Sequence, residues 1–382
     1  MNLSWPILKR RIRAWTWPRL QWGPLIELGA IGLWAIWVGR EYLNLDPTAW
    51  PSGREFGMSI QSHFVWSWLA KCGGCMLWDG SLNGGTPAFV ALQGAVLHPL
   101  VIVTTLLFGP INGAKIALIA SLAMAGLAQW WLAKVMRLGW APRLWSAGMA
   151  VVGGHLAGRI ENGLFAEVLS TAACSLILAP GLKLALTGQR RAAVELGVVS
   201  ALALLAGQGY LQIGTAFSIV PAFFVLLLVG GDKLRVRPVW KEFALAGVLA
   251  LLLAAILWVP LLHFWPNFEK DADPSFVTVQ PLEYAPLNLV IRDPSLYWTG
   301  ALNTAPVPHL YLNYIGWVPV LLAVVAIRLV PRTALRLLIF FLTAIGLVYL
   351  ASSAIPFKLL VDLSLDFMAA VRYASVIAGL VT

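Results

Sequence analysis

Apolar stretches of about twenty residues recur along this chain, separated by short basic loops, and no other feature limits its folding as severely. Lipid cannot satisfy backbone N–H and C=O groups, so such a run crosses a bilayer only as a helix whose hydrogen bonds are internal. Spans are predicted near 23–39, 113–133, 144–157, 164–182, 192–207, 213–230, 243–262, 313–327 and 337–354. A further, unfinished span is predicted from about 373. Charged residues make up 12% of the chain, about half the share in an ordinary soluble domain. The 382 residues therefore read as one all-α integral membrane domain, a bundle of about nine or ten transmembrane helices.

The 27 Lys and Arg against 17 Asp and Glu would suit a nucleic-acid partner in a polar chain. In so apolar a chain the excess is explained by cytoplasmic loops, and nucleic acid is excluded as a partner. Three cysteines and five histidines supply neither a disulfide-rich scaffold nor a structural zinc set. The basic N-terminal stretch leads into an apolar run without a small-residue cleavage site, which reads as an uncleaved first span with a cytoplasmic N-terminus.

One apolar run, 91–109, holds His98 and Pro99, and whether it crosses decides the sidedness of everything after it. If it does not cross, 18 of the 27 basic residues fall on the cytoplasmic side, mostly in short loops; if it does, only the N-terminal five obey the positive-inside rule. The run is therefore read as a re-entrant or interfacial element on the outer face. Two long outer loops result, 40–112 and 263–312, and loops of that kind carry chemistry on a helical scaffold. Within the first, 58–72 places Met58, Ile60, Phe64, Val65, Trp68 and Leu69 largely opposite Ser59, Ser62, His63 and Ser67. The pattern predicts an amphipathic helix lying in the interface.

Glu55 follows Pro51, Ser52, Gly53 and Arg54, turn-forming residues that would hold a carboxylate at the start of that helix. It is a candidate general base for deprotonating a hydroxyl; the alternative is a helix-capping residue or a solvent partner of Arg54. Trp78-Asp79-Gly80 and Asn83-Gly84-Gly85-Thr86-Pro87 offer backbone that can approach a ligand closely, or a plain turn. Asp79 either supports the site or caps. Cys72-Gly-Gly-Cys75 suits a local disulfide on an oxidising face or two free thiols, and lacks the context of a thioredoxin-like redox pair. His155, inside an apolar run, reads as an interhelical hydrogen-bonding residue, and Cys174 as packing. Gln208, Tyr210 and Gln212 form a polar outer turn able to bind sugar hydroxyls or merely to shape the turn.

The order of Arg54-Glu55, Gln61, LWDGSLNGGTP and LQGAVLHP, followed by a span, resembles the first outer loop of GT-C membrane glycosyltransferases, especially the bacterial YfhO-type branch. GRIENG at 158–163, GQGYLQIG at 207–214, PLNLVIRDPSLYWTG at 286–300, LYLNYIGWVPVLLA at 310–323 and Val371-Arg372 continue it in the same order. The resemblance covers most of the chain in short, degenerate pieces. It implies a GT-C-like bundle in the bacterial inner (plasma) membrane. The implied reaction moves a sugar, with inversion, from a polyprenyl-phosphate donor to a cell-envelope acceptor on the extracytoplasmic side.

On that reading Glu55 stands at the family's acidic first-loop position, where Asp is more usual, and Asp79 where Asn is common; the base is then Glu55 or, failing it, Asp46 or Asp79. Lys115, like the family's basic residue at the head of the second span, would face the carrier phosphate, or else snorkel to outer headgroups. Arg54, Gln61, Arg159, Glu161, Gln208 and Arg292 complete the implied substrate contacts, each also readable as an ordinary loop residue. A divalent cation, Mg or Mn, is a candidate cofactor, although no carboxylate set for it assembles from the sequence. The runner-up is a non-catalytic GT-C-like scaffold subunit with membrane-protein partners. Relatives usually continue through more spans, whereas this sequence stops at Thr382 about ten residues into an apolar segment, as a fragment or reduced relative would. A secondary transporter would need paired midplane charges and repeated halves, and neither is evident.

Overall fold

A computed structural model describes residues 22–80, 85–229, 239–267, 272–277, 279–293, 295–298, 312–331 and 334–382. The basic N-terminal stretch, Lys233, Arg235, Arg237 and Arg332, Asn83 and Gly84, and residues 299–311 lie outside the described residues. So do the side chains of Asp79 and Cys75.

Among the described residues the chain is all-α apart from a two-residue antiparallel ladder, β1 (Trp78–Asp79) with β2 (Thr86–Pro87). The helices are α1 (Trp22–Val38), α2 (Phe56–Ile60), α3 (Phe64–Cys72), α4 (Pro99–Val135), α5 (Trp140–Val151), α6 (Gly154–Asn162), α7 (Phe165–Ser175) and α8 (Leu178–Thr187). They continue as α9 (Arg190–Leu205), α10 (Tyr210–Val229), α11 (Val239–Leu253), α12 (Ala255–Phe264), α13 (Ser295–Trp298), α14 (Trp317–Leu329), α15 (Leu335–Ser352) and α16 (Ile355–Asp362). Four stretches among the described residues are long and apolar enough to cross a membrane: Pro99–Val135, Phe165–Thr187, Tyr210–Val229 and Leu335–Ser352. A fifth is reached if α11 and the bent segment Ala255–Asn267, 67° apart, count as one span. The protein is thus a multi-pass membrane protein in which four or five stretches of the described residues are continuous enough to cross, and Trp22–Val38 and Trp317–Leu329 are shorter apolar helices.

Two of the predicted spans depart from continuous helix for local reasons. The run at 144–157 is interrupted at Val152 and Gly153, leaving α5 at 12 residues, about 18 Å of rise against the roughly 30 Å of hydrocarbon. From Ala374 to Val381 the chain is a 3-10 run largely buried in the bundle. Its Ile377 packs on Gly214 of α10, and Gly379 lies so close to the His155 ring that any Cβ there would overlap it.

Helix α4 starts cleanly: His98 caps it, with Nδ1 accepting the Leu100 N–H at 3.2 Å and Pro99 in the first turn. It breaks at Gly109, whose φ of 78° and ψ of 172° are not helical, with Pro110 following. The short arm turns back on the long one, because a Cβ on Gly113 would sit 2.7 Å from the Thr104 carbonyl oxygen and the Thr105 Cα. The arm before the break, from Pro99, covers only about half the residues a crossing needs.

Two polar clusters mark opposite ends of the long arm of α4 that follows the break at Gly109. Near its C-terminus, Glu27 of α1 accepts hydrogen bonds from Arg143 and the Trp130 indole, and Lys134 sits 4.6 Å from the Trp130 ring centroid. At the other end the Lys115 ammonium donates to the Asn44 carbonyl (2.7 Å), the Asp46 carbonyl (2.8 Å) and Asn112 Oδ1 (3.1 Å), while Asn112 Nδ2 donates to the Leu45 carbonyl. The first long loop is stapled to the bundle at that second end.

The segment 58–72 is helical but not one amphipathic helix. A 3-10 turn at Gln61–His63 separates α2 from α3, and the burial runs against the predicted faces. Ser59, Ser62 and His63 are buried with Phe56, Ile60 and Val65, while Met58, Phe64 and Leu69 are exposed. The reason is polar contact with the bundle: Ser59 Oγ donates to the Gly163 carbonyl (3.1 Å), and His63 Nε2 lies 2.7 Å from the Gly94 carbonyl oxygen.

Candidate functional site

The first loop returns to the bundle at Gly53–Phe56 and lands on the turn that ends α6. Gly163 closes that helix in a left-handed conformation, φ 78°, donating its N–H to Ile160 O as a C-cap. It is also in close backbone contact, because a Cβ there would lie 2.4 Å from the Phe56 nitrogen. Glu55 donates its backbone N–H to the Asn162 carbonyl at 3.0 Å and stands as N-cap of α2. The sequence pattern Pro-Ser-Gly-Arg-Glu thus turns the chain so that one carboxylate, half-buried, sits over the end of α6.

Beneath that contact is a buried ion pair. Arg159, four residues before Gly163, has no solvent exposure, and its Nε lies 2.8 Å from Oε2 of Glu167 in the first turn of α7. Glu55 is near enough to Glu167 for the two carboxylates to repel each other. Around the pair, His155 Nδ1 lies 3.0 Å from Asn313 Oδ1 and its Nε2 2.8 Å from Thr171 Oγ1, whose hydroxyl donates to the Glu167 carbonyl. Arg372 donates to the Tyr210 hydroxyl and stacks 4.7 Å from the Tyr373 ring centroid. Unpaired charges are expensive in so apolar an interior, and each of these groups has its partner.

The second long loop closes the same end. Leu289 O accepts the N–H groups of Ile315 (2.9 Å) and Gly316 (3.0 Å), and Tyr314 O accepts that of Gly154 (2.8 Å), which seats Asn313 against His155. Gln280 and Asn288, both buried, hydrogen-bond to each other through their amides.

Not every predicted residue joins this centre. Glu55 and Arg159 do. Gln208 lies close by, in a left-handed turn (φ 45°), its N–H donating to the Leu92 carbonyl at 3.2 Å. Gln61 lines a cleft of about 280 Å³ between α2 and the segment 86–94. Arg54, Glu161 and Arg292 are solvent-exposed. Lys115 is 98% buried, and its three ammonium hydrogens are matched by three loop and helix acceptors, so it neither snorkels nor presents a free cation. Asp79 contributes backbone pairing to Thr86. Asp46 accepts from the Thr48 N–H and hydroxyl, and these bonds hold its carboxyl below the usual range. Gln212 is used internally, donating to Ala203 O and Ser170 Oγ.

Glu167 and Arg372 belong to the centre but not to the predicted set. A lone acid in the apolar run 164–182 was the available signal for Glu167; only the fold pairs it with Arg159 eight residues earlier. Cys72 is disulfide-bonded, and Cys174 is a buried free thiol. Among the described residues no group of three or more His, Cys, Asp or Glu side chains could hold a metal ion, so Mg or Mn has no preassembled ligand set there. No family model matches the chain, and no curated protein matches it significantly.

Proposed function

We propose that this protein transfers a sugar from a polyprenyl-phosphate donor to a cell-envelope acceptor on the extracytoplasmic side, as a GT-C-type glycosyltransferase. The observation that carries the reading is Glu55, a half-buried residue whose backbone N–H is bonded to the end of α6, next to a buried polar centre in an otherwise apolar bundle. Loop chemistry anchored on rigid helices is the arrangement that catalysis at a membrane surface requires.

In the proposed step one Glu55 oxygen takes the proton of an acceptor hydroxyl while the oxygen of that hydroxyl bonds to the anomeric carbon. The bond from that carbon to the carrier phosphate oxygen breaks on the opposite face, which gives inversion. The leaving phosphate keeps the bonding electron pair. Arg54, exposed beside Glu55, is a cation available to it, whereas Arg159 is committed to Glu167 and Lys115 to the loop. Arg159 is therefore a positioning residue that holds the α6–α7 turn on which Glu55 rests.

A Pro99 arm too short to cross supports placing the two long loops on one side of the membrane, and a disulfide at Cys72 suits the oxidising side. The scaffold reading is favoured by one specific observation: two cations that a donor phosphate would need, Lys115 and Arg159, are both internally satisfied. Purified protein reconstituted with radiolabelled polyprenyl-phosphate sugars and envelope glycolipid acceptors separates the two. Labelled product supports the enzyme; no transfer from any donor, with a stoichiometric membrane-protein partner retained, supports the scaffold.

A further inference from the structure

The cleft beside the Glu55 loop has a lining of distinctive chemistry. Met58, Gln61 and Ser62 form one wall, and Thr86, Ala88, Ala91, Leu92, Gln93 and Gly94 the other; none of them carries a charge. At about 280 Å³ it falls at the lower end of ligand pockets, large enough for one small ring and its substituents. The Ser62 wall holds a buried polar atom. Ser62 is 92% buried, and its Oγ has no hydrogen-bond partner among the described residues. A buried hydroxyl without a partner is costly, and a ligand group that supplies the missing bond recovers that cost.

The structure assigns this cleft, we propose, to an uncharged, hydroxyl-rich ligand: a neutral sugar ring of the acceptor. Each Gln amide both donates and accepts, as do the Ser62 and Thr86 hydroxyls, and a sugar hydroxyl does the same, so every pairing can be met from either side. A carboxylate or phosphate offers acceptors only and would find no cation here. Met58, Leu92 and the two alanines give the apolar contact that the C–H face of a sugar ring takes. Gln61 lies six residues beyond Glu55, about 9 Å along a helical rise, so a ring held in the cleft lies within reach of the proposed base. The inference rests on the transferase reading, and makes the acceptor a neutral glycan in place of an anionic or peptide one.

The test uses the full chain in detergent and saturation-transfer NMR with methyl glucoside, methyl galactoside, methyl mannoside and methyl glucuronide, plus an uncharged tripeptide. At least one neutral glycoside is expected to bind, with the glucuronide and tripeptide at least tenfold weaker. Ser62→Ala should weaken the glycoside about fivefold, one hydrogen bond's worth, without lowering the melting temperature, since that hydroxyl has no partner among the described residues. Gln93→Ala, on the exposed rim, should weaken it as well. Equal binding of the glucuronide or the tripeptide, no glycoside binding at all, or binding untouched by either substitution overturns the assignment. Glu55→Gln is expected to keep glycoside binding. Transfer without glycoside binding overturns the cleft alone, and glycoside binding without transfer overturns the catalytic reading alone.

Discussion

Arg159 Nε lies 2.8 Å from Glu167 Oε2, both side chains buried, directly beneath the loop that carries Glu55. Two ionised groups in that position cost several kcal/mol each to desolvate, and the pair persists because each offsets the other. Arg159→Met leaves Glu167 buried and uncompensated. It should destabilise the protein by about 3–5 kcal/mol, and Arg159→Met with Glu167→Met should recover most of the loss. Thermal unfolding of the two single variants and the double variant in detergent measures it; additive losses would mean the two side chains do not act as a pair.

Lys115 is a staple, with all three ammonium hydrogens directed at Asn44, Asp46 and Asn112. Lys115→Met should free the 44–46 segment while leaving the bundle folded, read as faster amide exchange confined to that part of the loop. Lys115→Arg should not restore protection, since a planar fork cannot match three convergent acceptors. Unchanged exchange in Lys115→Met would show that the loop is held elsewhere.

Gly163→Ala should undock the first loop. The substitution carries the strain of φ 78°, about 1–2 kcal/mol, and drives a Cβ into the Phe56 backbone. Protease cleavage between 50 and 60 should accelerate severalfold relative to wild type, with no change at the Glu27–Arg143 end of the bundle.

His63 supplies a pH dependence with a definite sign. Burial pushes its pKa from 6.5 down to about 4, so the folded state holds it neutral. Between pH 6.5 and 4 the unfolded chain binds the extra proton, and stability contributed by the neutral ring, complete above 6.5, falls as the pH falls, by roughly 3 kcal/mol across the window. His98, also pushed to about 4 by burial, adds in the same direction. Melting temperatures from pH 7 to 4 should decline less steeply for His63→Gln than for wild type, and a parallel decline would remove His63 from the account.

The helical, membrane-embedded character was legible because it follows from run length and hydrophobicity alone. The breaks within the apolar runs were not, since Gly109 with Pro110, Val152 with Gly153, and Ala254 interrupt helices without interrupting the apolar runs around them. Glu55 could be singled out from its turn-forming neighbours. Its seat could not, because the Asn162 contact joins residues more than a hundred apart. Lys115 misled for a related reason: a cation at a helix end looks free until the 44–46 carbonyls are brought to it. The polar face predicted for 58–72 is buried because its partners, Gly163 O and Gly94 O, come from other parts of the chain.

The central claim is that the Glu55 carboxylate removes a proton from the acceptor. Glu55→Gln keeps the shape and removes the base, so the decisive measurement is the single-turnover rate of sugar transfer by reconstituted wild type and Glu55→Gln at equal protein and saturating donor. The account predicts a loss of about 10²- to 10⁴-fold in that rate with donor binding and melting temperature preserved. A Glu55→Gln rate within a few fold of wild type would contradict it.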